Sequence, residues 1–146
     1  WIFIPILLFN IIWWKVLLSF LVMHYTAGLI LSLVFQLAHI MDEADMPLPD
    51  SEGNIKNSWA IHQLKTTVNF ASNNKLVNWF TGGLNYQVEH HIFPNISHVH
   101  YDKVAEIVKK TTNEFNLPYN EFNTFLDAIR AHFRFLKTMG MKPQNA

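Results

Sequence analysis

The residues best suited to chemistry are Gln87, His90 and His91, in the run Asn85-Tyr86-Gln87-Val88-Glu89-His90-His91-Ile92-Phe93-Pro94. On a helical turn, side chains three and four residues apart are neighbours, so Gln87 lies beside both histidines. The two histidines diverge by about 100° around the helix axis. They cannot easily grip one ion together, but each can serve one of two ions close by. Neutral imidazole suits iron, zinc, copper and nickel. Pro94 ends the turn, because the residue before a proline is driven out of the helical region. A histidine pair alone is more often polar surface than a metal site. Here the pair follows the break Thr81-Gly82-Gly83 and shares a face with a glutamine.

The elements that must hold this run belong to a chain of 146 residues and 17.1 kDa, a single domain's length. Half of it is apolar and 15% is charged, against about 25% charged in an average soluble domain. Lys15 is the sole charge in residues 1–40; the other basic residues and every acidic one come later. Such a chain is not disordered, and an ordinary soluble globule is a poor description of it. Net charge is zero, so no nucleic-acid footprint appears and no nucleic-acid partner is expected. Cysteine is absent, which removes disulfides, thiolate metal sites and cysteine nucleophiles. The sequence opens on Trp1 and lacks the pattern of a signal peptide, and it is expected to be a piece of a longer protein.

Val16 to Met41 carries no formal charge. A helix over it would reach roughly 39 Å, enough to cross a hydrocarbon core of about 30 Å with some tilt. Trp1 to Trp14 is also uncharged but spans only about 21 Å as a helix, and a single helix over 1–41 would be too long at about 60 Å. A turn is therefore expected near Trp13-Trp14-Lys15, where tryptophan and lysine suit a membrane interface. The fold class this predicts is all-α: an integral membrane helical hairpin over 1–41 with a truncated first helix, an acidic loop over 42–58, and a cytoplasmic region of capping helices over 59–146. Basic residues concentrated after Met41 put that carboxy-terminal region in the cytoplasm by the positive-inside rule.

In the helical region the pattern predicts a short helix around 57–70 and a second around 73–81. Two amphipathic helices follow, one through Val104, Ile107, Val108 and Thr111, the other through Phe122, Phe125, Leu126, Ile129, Phe133 and Leu136. Leu117-Pro118 separates them, Asn120 can cap the second and Gly140 can end it. Their lysines and arginines read as solvated faces. Ionisable groups at membrane depth are functional candidates. His39, at the last turn of the long helix, can reach a site at the membrane surface; His24, mid-span, reads as a packing residue. His62 reads as surface or packing, His98 and His100 as polar residues at a helix start, and His132 as an inert residue on a polar face.

The run Asn85 to Pro94 resembles the third histidine box of the membrane-bound fatty acid desaturases, in the branch with glutamine in place of the first histidine. That branch holds front-end acyl desaturases, sphingolipid desaturases and their linoleoyl-CoA-desaturase-like relatives. Trp79-Phe80-Thr81-Gly82-Gly83-Leu84, Leu117-Pro118-Tyr119 and Phe35-Gln36-Leu37-Ala38-His39 fit the same pattern.

The resemblance implies oxygen-dependent dehydrogenation of a fatty acyl chain at a centre of two non-haem iron ions. His90 and His91 match box ligands. Gln87 stands where other branches have histidine, ligating weakly or orienting a water, and His39 resembles a further ligand at the end of a membrane helix. Glu89 and Asn85 would stand behind the ligands, Glu89 as a partner for an imidazole N–H or else as a surface carboxylate, Asn85 behind them or as a helix cap. The implied partners are a fatty acyl substrate (acyl-CoA or acyl-lipid), the membrane, and an external electron donor of cytochrome b5 or ferredoxin type. Two earlier histidine boxes are missing, so the chain alone is expected to be inactive. An acyl hydroxylase on the same scaffold and a non-enzymatic membrane module with an incidental histidine pair are the competing readings. A zinc hydrolase ranks last, because His-Glu-x-x-His is absent.

Overall fold

The computed structural model describes residues 2–9 and 11–141. Trp1, Asn10 and the last five residues, which the expected hairpin arm and tail include, lie outside the described residues. The elements are mostly helical: α1 Phe3–Phe9, α2 Trp13–Gln36, α3 Trp59–Thr66, α4 Lys75–Thr81, α5 Gln87–Ile92, α6 Tyr101–Glu114 and α7 Phe125–Gly140. Two short strands join them, β1 Asn69–Phe70 and β2 Glu121–Phe122, and one 3-10 turn over His98–His100 leads into α6. The chain divides between Leu33 and Val34 into two compact units.

In the first unit α2 is the one helix among the described residues long and apolar enough to cross a membrane, with a mean hydropathy of 1.9. Its side chains are almost all exposed, Tyr25, Leu29 and Val22 among them. The break before it falls between Phe9 and Trp13, next to the expected Trp13-Trp14-Lys15. α1 ends at Phe9 and α2 already includes the tryptophans, with the Lys15 and Val16 amides bonded to the Ile12 carbonyl. The helix also stops short of the expected Met41. At Gln36 the hydrogen bonding loosens into turns, the His39 and Ile40 amides both reaching the Gln36 carbonyl. His39 therefore stands in a turn and not in a helix.

The second unit is built around that turn. Leu37, Ala38, Met41 and Ala44 are buried with Val68, Phe70, Ala71 and Ala128 in one apolar cluster. Each large side chain removed from water there contributes about 2 kcal/mol. A second cluster sets Val88 of the box helix between Leu64 of α3 and Val108 of α6. A third joins Tyr86 to Tyr101 and Ala105. α3 is shorter than the expected 57–70, because residues 69–70 leave the helix to pair in parallel with residues 121–122. That strand pair is an addition to the all-α expectation.

α6 and α7 form where the periodicity puts them, and only part of each expected apolar face packs inward: Val104 and Val108 of α6, Phe125 and Ile129 of α7. α6 buries Tyr101, Ala105, Val108 and Thr112 and leaves Ile107 exposed. α7 buries Ala128, Ala131 and His132, while Leu126, Phe133 and Leu136 face outward. Small residues win the inner face of α7 because the helix lies close against the Leu37–Ala44 turn. The cap of α7 is Thr124, whose Oγ1 accepts from the Asp127 amide at 3.1 Å, and not Asn120, which donates to the Glu43 carbonyl. The Gly-Gly break ends α4 as expected. Gly82 closes the helix in the left-handed region. Gly83 has φ +83°, and a Cβ there would come within 2.7 Å of the His98 Cβ.

Candidate metal centre

α5 is six residues long and starts at Gln87, so the box forms a single stretch of helix, as its spacing requires. Too short to be stable alone, it is held by its neighbours. Val88 is fully buried, and its amide donates to Asn69 Oδ1 at 2.9 Å. Asn69 Nδ2 donates to the Glu89 carboxylate at 2.7 Å, and the Tyr119 hydroxyl donates to the other carboxylate oxygen at 2.9 Å. Glu89 is thus neither a surface carboxylate nor a partner of an imidazole. It is the buried keystone joining α5 to β1 and to the segment after α6. Burial raises its carboxyl above the ordinary carboxylate range, despite the bonds from Asn69 and Tyr119 and the nearby Lys109. Burial and the Glu89 charge also push the Tyr119 phenol up.

The second unit brings three of the expected residues together. The rings of His90 and His91 lie 5.7 Å apart between centroids, their planes at 85° to each other. The His39 ring meets His91 edge-on at 5.0 Å. Each ring is tethered through Nδ1. His91 donates to Gln63 Oε1 at 2.9 Å, and His39 donates to the Thr66 carbonyl at 3.4 Å. His90 Nδ1 sits 3.2 Å from the Tyr101 hydroxyl. The Nε2 atoms stay uncommitted among the described residues. For His91 and His39, whose partners can only accept, the tethered Nδ1–H fixes the tautomer that leaves Nε2 as a lone pair for a metal. Burial, reinforced by the neighbouring His39 and His90, pushes the His91 imidazole down to about 4, which keeps it neutral.

Gln87 is buried, and its side-chain Oε1 has no hydrogen-bond partner. Such an orphan is rare and calls for a ligand, an ion or a water. The donor set, three imidazoles and an uncommitted amide oxygen, fits a nitrogen-preferring transition metal such as iron. No group of three or more His, Cys, Asp or Glu side chains is arranged to hold one ion among the described residues.

Asn85 serves the turn before the box. It is fully buried, its Oδ1 accepts from Thr81 Oγ1 at 3.0 Å, and its carbonyl accepts from the Phe70 amide. His98 and His100 are exposed, as expected. His62 is partly buried with an unpartnered Nδ1. His24 bonds its own helix at the Phe20 carbonyl. His132 is not an inert surface residue: it is buried on the inner face of α7. Asn69, Gln63, Tyr101 and Tyr119 escaped the sequence reading as parts of the site. Only Tyr119 had a local signal, the Leu117-Pro118-Tyr119 run.

The comparison with known families is decisive. The fatty acid desaturase family matches residues 1–123. The chain belongs to the fatty acid desaturase family. This desaturase chain is 44% identical over 127 residues to an sn-1 linoleoyl-lipid 6-desaturase of Synechocystis, covering 86% of this chain and 35% of that protein. It is 40% identical over 130 residues to an acyl-lipid (8-3)-desaturase of Mortierella alpina, covering 89% and 29%. A probable Delta(5) fatty acid desaturase of Dictyostelium discoideum is 37% identical over 131 residues, covering 86% and 28%. The resemblance read from the box, with its front-end branch, is borne out. The desaturase chain spans about a third of the length of the curated relatives it matches. No solved structure matches it.

Proposed function

We propose that this chain is the carboxy-terminal part of a membrane fatty acyl desaturase. The complete enzyme removes two hydrogens from an acyl chain to make a C=C bond. O2 is reduced to two waters with two electrons and two protons from an external donor of cytochrome b5 or ferredoxin type. Two non-haem iron ions, when bound, supply the redox chemistry that breaks an unactivated C–H bond, which side chains alone cannot do. The observation carrying this reading is the trio of tethered imidazoles, His39, His90 and His91, beside the orphaned oxygen of Gln87.

This chain's own residues do three things in that scheme. Gln63, Thr66 and Tyr101 hold the rings through Nδ1, and for His91 and His39, whose partners are acceptors only, the Nε2 lone pair is ready before metal arrives. Burial keeps His91 neutral, so it need not shed a proton to ligate. The Asn69–Glu89–Tyr119 network fixes α5, and with it the angle between His90 and His91. Ligands from two earlier histidine boxes complete the centre, so the chain by itself neither assembles it nor turns over. α2 belongs to a helical hairpin over 1–41, crossing the bilayer from a cytoplasmic region at 59–146 by way of the 42–58 loop. The acyl chain, carried as acyl-CoA or acyl-lipid, enters from the membrane side.

The test is expression of the intact gene in a host of mapped lipid composition. New double bonds, and no new hydroxyl groups, are expected in the acyl chains, and His90→Ala abolishes them together with most of the bound iron. An unchanged iron-to-protein ratio in His90→Ala defeats the metal assignment; hydroxylated lipids favour the hydroxylase.

A further inference from the structure

α7 lies beyond the span matched by the desaturase family, which ends at residue 123. It presents two alanines and a histidine to the turn that carries His39. Ala128 and Ala131 are completely buried, and Ala128 packs in the same cluster as Leu37, Ala38, Met41 and Ala44. The absence of bulk lets the α7 backbone come close. At the end of that face, His132 is 6% exposed, and its Nδ1 lies 2.7 Å from the Ile40 carbonyl oxygen. A carbonyl can only accept, so Nδ1 carries the proton.

The carbonyls past the end of a helix have lost their partners within it and need others. Here those flanking His39 are both supplied. The Ala38 carbonyl accepts from the Val68 amide at 3.0 Å, and the Ile40 carbonyl accepts from His132. Three residues further on, the Glu43 carbonyl accepts from Asn120 Nδ2 at 2.8 Å. The backbone on either side of His39 is thus pinned by groups distant in sequence. Its ring, in contrast, has among the described residues the long 3.4 Å bond to Thr66 and the edge contact with His91. Much of the definition of His39 therefore comes from its backbone, and one of the two pins comes from α7.

We propose that His132 is a positioning residue for His39: α7 clamps the turn after α2 so that the His39 imidazole stays beside His91. The inference rests on His39 being a metal ligand. It makes the tail helix a working part of the site. His132 touches no substrate and no metal; it acts through the Ile40 carbonyl alone.

The experiment uses the full-length protein, purified with iron, and three substitutions at one position. His132→Leu removes the donor. His132→Asn keeps an N–H at nearly the same place as Nδ1. His132→Gln keeps a donor but moves it outward by one bond. The readouts are iron retention against a chelator and the Mössbauer spectrum of the bound iron, with thermal melting as the check on folding. His132→Leu is expected to retain iron about 10-fold less tightly, the lower end of the effect of losing a group behind a metal ligand, with a shifted spectrum. His132→Asn is expected to restore both. If the leucine variant does not fold, the glutamine variant carries the test, with a spectrum displaced from the wild type. A folded leucine variant with wild-type retention and spectrum overturns the proposal, as does failure of asparagine to restore them or, where glutamine carries the test, a glutamine spectrum identical to the wild type.

His39→Ala separates this proposal from the reading beneath it. If His39→Ala keeps all its iron, the ligand assignment has failed. If it loses iron while His132→Leu does not, only the clamp has failed. In the His39→Ala background, His132→Leu should cause no further loss, and a further loss would show that His132 acts by another route.

Discussion

α2 and the core beneath the box are built in opposite senses. Along α2 the apolar side chains face outward: Val22 is 58% exposed and Leu29 62%. Beneath the box it is the polar side chains that are hidden, with Thr67, Asn69, Asn85 and Glu89 all at 0%. In water neither arrangement would be stable by default. A helix apolar on every side needs a medium as apolar as itself, a bilayer or other helices. A polar interior is tolerable only if nearly every group is partnered. Asn69 meets that condition by linking Val88, Glu89 and Tyr119, and Glu89 by accepting two bonds. The exceptions among the described residues, Gln87 Oε1, His62 Nδ1 and Ser72 Oγ, stand out for that reason.

The contrast can be broken from either side. Val22→Arg puts a charge near the middle of α2, where insertion becomes less favourable by about 3 kcal/mol. A glycosylation-based insertion assay should find most of the segment no longer spanning; unaltered insertion would mean that protein covers that face. Glu89→Ala leaves the Asn69 amide and the Tyr119 hydroxyl without their shared acceptor. An orphaned buried donor costs about 1–3 kcal/mol, so a loss of about 2 kcal/mol is expected in denaturant titration of the full-length protein. Glu89→Gln, which still accepts one bond, should lose less. A neutral Glu89→Ala would show that the network is slack.

The smallest effect is in the pH profile. The folded-state value of His91, about 4, lies below its ordinary 6.5. Between those values the unfolded chain binds more protons than the folded one, so stability rises with pH across the window. The contribution is complete above about 6.5 and lost as pH falls toward 4. The apo-protein should therefore lose stability through that range, and His91→Gln should flatten the slope. An unchanged slope would mean that the ring is freely hydrated.

What the sequence could and could not disclose follows the same division. α2 was legible because absence of charge is a local property, and the box because its spacing is local too. The ends of α2 were less so: stopping at Gln36 depends on tertiary partners for Ala38 and Ile40. The Thr124-x-x-Asp127 cap was available in the sequence, since a threonine three residues before an acidic side chain is a helix-start signal, but Asn120 competed with it. His132 was misread because lysines and arginines surround it on α7, and only the close approach of Ala128 and Ala131 shows that its face is an inner one. The strand pair had no signature, being two residues on each side. Glu89 could not be assigned because its partners lie 20 and 30 residues away.

The parallel pairing of Asn69–Phe70 with Glu121–Phe122 has a bearing on biosynthesis. It closes a loop of backbone around the box, and one of the two clasps on Glu89, Tyr119, lies just before the closing strand. A nascent chain still inside the ribosomal exit tunnel at that point holds His90 and His91 on an unanchored turn. The fixed orientation of the box turn is therefore reached only once the closing strand has been made.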